Sequence, residues 1–290
     1  MALITHGETG FSGRNRRGPR GGGFFDASLP AAQFEVPFGV GGPPSSYSMA
    51  AMRHMHEYGT TREMLASVAV KNHYNGARDP FAHFQNEITI EDVIKSAPVC
   101  HPLHLLDCCP QTDGAAAVLL VNAERAREFT DKPVYVAGFG VATDHPYLHE
   151  KDSFTEIKAT RLASQRAYEM AGVTPAQIDC AEVHDCFTIT EILDIEDLGF
   201  VEKGRGGIAS LEGDTALTGR IPVNTSGGLL AKGHPIGATG VAQITECWWQ
   251  LRGDAGERQV EIRNGFALQH NAGGRGSGVA VVNILTTNEV

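Results

Sequence analysis

No run in this 290-residue chain approaches the roughly 20 apolar residues that a membrane-crossing helix needs. A positively charged start followed by an apolar core is also lacking, so a secretion signal is not read at the N-terminus. Positive charge is in short supply: Lys and Arg number 24 against 34 Asp and Glu, a net charge of −10. That balance argues against bulk nucleic-acid binding. Cysteine is sparse and irregular, with six residues, which fits free thiols in a reducing compartment better than a disulfide framework. A soluble cytoplasmic protein without a membrane span is the expectation. No phosphate-binding P-loop occurs, and GFGVAT after a strand is too weak for a dinucleotide site.

What is there is a regular alternation. MALITHGETG reads as a buried strand starting at the second residue with no polar lead-in, which implies that Met1 lies inside a longer reading frame. The basic, glycine-rich SGRNRRGPRGGGFF is short beside an acidic remainder, so it reads as a ligand-facing or moving loop rather than a nucleic-acid arm. Two helices follow. The first carries Met49, Met52 and Met55 as a packing row and stops at Gly59; the second is capped by Thr60 or Thr61 and ends near Asn75-Gly76. From Lys132 onward, strands at KPVYVAGFGVAT, IDCAEVHDCF, IPVNTSGG, FALQHNAGG and GSGVAVVNIL alternate with helices over 156–171, 188–198 and 241–251. This order predicts an α/β fold with a mostly parallel sheet covered by helices. DGAAAVLLVNAE echoes GSGVAVVNIL. If both close equivalent halves, the first half (1–130) holds only its last strands, and 131–290 is a complete second half.

Three loops fall at predicted strand ends, where open α/β sheets place ligands: EVHDCF, GHPIG and QHNAGGRG. They bring His184 with Cys186, His234, and His270. An imidazole beside a thiol can hold a thiolate or pass a proton near neutral pH. Glycines around His234 are read as clearing a path for a ligand and exposing N–H donors for an oxyanion. CHPLHLLDCC offers Cys100, His101, His104, Cys108 and Cys109, but without paired knuckle spacing it reads as a buried strand with incidental thiols rather than a metal site.

These segments resemble the thiolase superfamily, closest to its sterol-carrier-protein-type (SCP2-like) members. EVHDCF resembles their HDCF loop, GGLLAKGHPIGATG the GHP loop, and LLDCCPQTDGAAAVLL the close of the first half, while QHNAGGRGSG stands in the place of the CxG loop. The resemblance implies two similar layered α/β halves, the first incomplete here, in a homodimer. It implies that His234 activates the nucleophile and polarises a thioester, that Cys186 handles the α-proton, and that His184 helps form an oxyanion site. His270 occupies the position of a catalytic cysteine. Asn224, Ser226, Gly227, Gly228 and Gly233, with the glycine-rich loop after Phe11, would lie along a coenzyme A thioester, which is substrate rather than a resident cofactor. The departure is the nucleophile: no small-residue motif with a cysteine opens a helix in the first half. The implied activity is thiolase-type acyl transfer on acyl-CoA in lipid or sterol metabolism. The alternatives are a thiolase-like aldolase cleaving a β-hydroxyacyl-CoA beside a DUF35 (OB-fold) partner, and a non-catalytic subunit.

Overall fold

The computed structural model describes residues 1–15, 28–274 and 277–289. Most of the basic glycine-rich segment, and the Arg275-Gly276 pair of QHNAGGRG, lie outside them. Strand β1 (Ala2–Thr9) pairs antiparallel with β4 (Asp113–Leu120), and β2 (Pro98–Cys100) with β3 (Leu103–His104). The main sheet runs β5 (Tyr135–Thr143), β8 (Val279–Thr286), β7 (Phe266–Gly273), β6 (Cys180–Glu182).

The α/β class is as expected, but the main sheet is not mostly parallel: β6–β7 is parallel, whereas β7–β8 and β5–β8 are antiparallel. The reason is connectivity. Strands β7 and β8 are separated by only five residues, too few for the crossover that a parallel pair needs. The two echoing segments do both form strands, β4 and β8. IPVNTSGG does not: Val223 makes one bridge to Ala181, then Asn224 turns into left-handed backbone at φ 55°. Strand β1 is exposed along nearly its whole length rather than buried.

The helices are α1 (Pro30–Phe34), α2 (Pro43–Tyr58), α3 (Arg62–Gly76), α4 (Ile90–Lys95), α5 (Lys158–Ala171), α6 (Thr188–Asp197), α7 (Gly206–Glu212), α8 (Gly228–Ala231) and α9 (Thr239–Arg252). Helix α2 opens on Pro43-Pro44, residues whose fixed φ suits a first turn, and closes on left-handed Gly59. Its buried face is Tyr47, Ala50, Ala51 and His54. The methionine row therefore sits beside the packed stripe, with Met52 exposed, because each buried position is offset from the row. Thr61, not Thr60, caps α3 by accepting from the Met64 N–H at 3.3 Å.

Helix α5 lies on β5 and β8 through Ala159, Ala163 and Ala167; a Cβ at Gly140 would collide with the Ala163 carbonyl. Helix α9 covers the other face, with Cys247 and Leu251 against Cys180, Ala267 and Leu285, and also reaches β4 and β1. Every residue of α6 is buried. A further core cluster joins α2 and α3 to Phe187, Ile189 and Leu229, drawing on both sides of residue 130. That centre carries the loops of the site.

Candidate functional site

A cleft of about 670 Å3 opens where β6, β7 and the His234 loop meet. His184, Cys186 and His234 line it, and His270 does not. Side chains alternate along a strand, and His270 is the fifth residue of β7 rather than a residue at its end. The pleat turns it into the core and presents Asn271 to the cleft. Asn271 is a site residue that the histidine-centred reading missed; strand alternation was the signal for it. Cys109, set aside as an incidental thiol, also lines the cleft.

The walls are pinned by short bridges. Cys108 pairs with Phe187 and Gln111 with His234, and the Cys109 N–H donates to the Cys186 carbonyl at 3.0 Å. Gln243 of α9 donates to the Val183 carbonyl at 2.9 Å. The Asp185 carboxylate accepts from the Leu229 and Leu230 N–H groups at the start of α8 (2.7 and 3.2 Å) and from Asn72 at 2.7 Å. These contacts hold the HDCF and GHP loops to each other.

The glycines before His234 serve that packing. Gly228 has φ 59°, and a Cβ there would overlap the Asp185 carboxylate; Gly233 has φ 109°, and its Cβ would meet Thr112. Asn224 is fully buried, donating to Glu191 at 2.7 Å and accepting from the Val183 N–H at 2.9 Å. Ser226 is buried against Glu182 at 2.6 Å. Asn224, Ser226, Gly227, Gly228 and Gly233 thus build the loop behind the cleft and are not among the residues lining it.

Hydrogen bonds fix which ring nitrogens carry protons. Thr239 donates its single hydroxyl proton to the Pro235 carbonyl (3.3 Å), so it accepts from His234 Nδ1 at 2.8 Å. The lone pair of His234 is therefore on Nε2. The Asn271 side-chain oxygen accepts from His184 Nδ1, which leaves the His184 lone pair on Nε2 as well. The two rings meet edge-on with centroids 5.1 Å apart. His270 Nδ1 accepts from the His184 N–H at 3.4 Å, and its Nε2 donates to Thr160 at 2.9 Å.

Burial depresses all three imidazoles: His184 to about 4, against the hydrogen bond from its ring to Asn271, His234 to about 3 with help from His184 and Lys232, and His270 to about 3 with help from His184. Burial, then Cys109, pushes the Cys186 thiol well above its ordinary value. At neutral pH the cleft holds neutral bases and a protonated thiol, a set suited to moving one proton at a carbon or oxygen centre. Among the described residues, no cluster of three or more His, Cys, Asp or Glu could hold a metal ion.

Two family profiles match the chain: "Thiolase C-terminal domain-like" over residues 140–287 and "Thiolase, N-terminal domain" over residues 45–124. An acetyl-CoA acetyltransferase of Methanothermobacter thermautotrophicus is 54% identical over 243 residues, which is 84% of this chain and 63% of that protein. Rabbit (Oryctolagus cuniculus) sterol carrier protein 2 is 39% identical over 82% of this chain and 44% of its own length. Among solved structures, an Ltp2-ChsH2(DUF35) aldolase superposes with a TM-score of 0.81 at 32% identity, covering 88% of this chain and 66% of that one. A monomeric SCP2-thiolase like protein type 1 from Mycobacterium smegmatis superposes at 0.74 with 19% identity, covering 99% and 56%, a likeness of fold. The chain thus spans less than two thirds of these relatives.

Proposed function

This chain belongs to the thiolase superfamily, with SCP2-like members among its relatives, and from that premise we propose that its cleft performs thiolase-type acyl transfer on coenzyme A thioesters. The observation that carries this reading is the juxtaposition of a neutral His234, its Nε2 free to accept a proton, with the protonated Cys186 in one cleft. His234 Nε2 takes a proton from the group attacking the thioester. Cys186 moves the α-proton as an acyl-CoA carbon becomes a nucleophile, and the His184 ring, whose Nδ1 proton goes to Asn271, serves the developing oxyanion through a water that donates to its Nε2 and to the oxyanion. His270 acts from behind, fixing the His184 backbone. The acyl-carrying thiol is not assigned by these residues. The chain works in the cytoplasm as a homodimer.

The experiment is thiolysis of acetoacetyl-CoA by CoA, with and without His234→Ala. Turnover lost in a variant that still melts with the wild type supports the reading, and wild-type rates in the variant remove it. Two named relatives are acetyl-CoA acetyltransferases.

A second reading is supported by the aldolase neighbour. A β-hydroxyacyl-CoA loses its hydroxyl proton to a base, the Cα–Cβ bond breaks to a ketone and a thioester enolate, and Cys186 protonates the enolate carbon. No acyl-enzyme is needed. Ketone release from a β-hydroxyacyl-CoA, dependent on an added DUF35 protein and without labelling of the chain by acetyl-CoA, would favour this reading over acyl transfer.

A further inference from the structure

The side of the cleft facing Cys186 carries a phenol with no role so far. Tyr47 projects from α2 onto the cleft wall, is almost wholly buried, and lays its ring on Phe187 with centroids 5.0 Å apart. Phenylalanine would fill that space, and a buried hydroxyl is costly without a partner. The hydroxyl has one: Ser277 Oγ at 2.6 Å. Ser277 is itself buried and held at φ 57°, a left-handed backbone that residues with a Cβ adopt at a cost of about 1–2 kcal/mol. Such local strain clusters at functional positions.

Cys186 needs a donor whenever its sulfur is charged, because its surroundings oppose charge. Burial is the chief cause, and Cys109 and Asp185 add to it. Thr190 is near, at 3.9 Å, but its proton goes to the Phe187 carbonyl at 2.6 Å. Tyr47 and Cys186 line the same cleft, and burial, then Cys186, holds the phenol protonated.

We infer that Tyr47 and Ser277 form a two-hydroxyl relay that donates a hydrogen bond to the Cys186 thiolate, making Tyr47 a positioning residue for the acid/base thiol. The inference rests on the reading of Cys186 as that acid/base group. With Cys186 as a thiol, Tyr47 donates to Ser277. When the sulfur gives up its proton, the phenol O–H turns to the thiolate and the Ser277 hydroxyl turns to donate to the phenol oxygen. No proton leaves the pair; both hydroxyls reorient.

The test is alkylation of the full chain by iodoacetamide across pH, with Cys186 and Cys109 followed as separate peptides by mass spectrometry. Tyr47→Phe is expected to slow Cys186 labelling about ten-fold on the ascending limb, moving its midpoint up by about one unit, the scale of one charge-assisted hydrogen bond. Ser277→Ala, which leaves the phenol in place, is expected to give a smaller shift in the same direction, and Cys109 labelling to stay within two-fold. An unchanged Cys186 titration in both variants overturns the inference, as does an equal change at both cysteines, which would report access alone. If Tyr47→Phe fails to fold, Ser277→Ala decides by itself. The measurement uses no thioester, so a shift in a chain that turns over no acyl-CoA keeps the relay and removes the acyl-transfer reading. Normal turnover with no shift does the reverse.

Discussion

At the scale of single residues, the buried ionisable groups set opposing pH dependences. Asp194 is fully buried, neither carboxyl oxygen has a hydrogen-bond partner among the described residues, and His270 Nδ1 lies 3.5 Å away. Burial, then Asp197, Asp185 and Glu191, raises its pKa well above the usual range. The folded chain therefore keeps a proton that the unfolded chain loses near pH 4, and stability falls as pH rises from there through the folded value. Asp194→Asn, a neutral near-isostere, is expected to flatten that loss in melting temperatures taken from pH 4 to 8. The histidines act with the opposite sign. Depressed to about 4 at His184 and about 3 at His270, they favour the unfolded state once pH drops below about 6.5. Stability falls from there down to the folded values, and His270→Gln is expected to make the acid-side decline shallower. His184, Cys186 and His234 were legible because titratable residue types at loop positions stand out in a sequence. Asn271, Cys109 and Tyr47 were not, because their place on the cleft depends on strand pleat and on contacts between distant segments.

At the scale of elements, the loops are held by charge and shape together. Asp185 caps the start of α8, and Glu191 on buried α6 takes hydrogen bonds from Lys71, Asn72 and Asn224. Gly228→Ala places a side chain on left-handed backbone and into the Asp185 carboxylate, with an expected cost of about 2–4 kcal/mol in denaturant unfolding. Asn224→Ala removes a donor and an acceptor from a fully buried position and is expected to cost about 2–3 kcal/mol. A loss under 0.5 kcal/mol in either variant would show that the loop reorganises freely. Helix positions were readable from caps and glycine stops: Gly59 ends α2, and of the two threonines offered Thr61 caps α3. Strand direction was less so, since hydrophobic pattern does not distinguish the antiparallel β7–β8 hairpin from a parallel crossover. The glycine loop was ambiguous for a similar reason, because a bare backbone accommodates a neighbouring chain as readily as a substrate.

At the scale of the molecule, α9 lies between the main sheet and the β1–β4 ribbon, and the ribbon's outer face is apolar. Leu3 and Leu119 stand directly opposite each other across the strands on this face, 68% and 48% exposed, while Ile4 and Leu120 fall on the other face. Paired apolar side chains on an open two-stranded ribbon favour self-association. Replacing Leu3→Lys together with Leu119→Glu is expected to lower light scattering at high protein concentration while leaving the melting temperature within about 2 °C, as surface changes of up to about 0.5 kcal/mol do. Unchanged scattering would place the sticky surface elsewhere.

The strip from Cys108 to Thr112 has an evolutionary consequence. It is clipped to Phe187 at one end and to His234 at the other, with Thr112 Oγ1 accepting from the His234 N–H at 3.1 Å. One inserted residue would reverse the pleat beyond it, exchanging the side chains that face the cleft with those that face away. Length changes in this family should therefore be absent between these two clips, and a chain carrying one would have to rebuild both loops of the cleft at once.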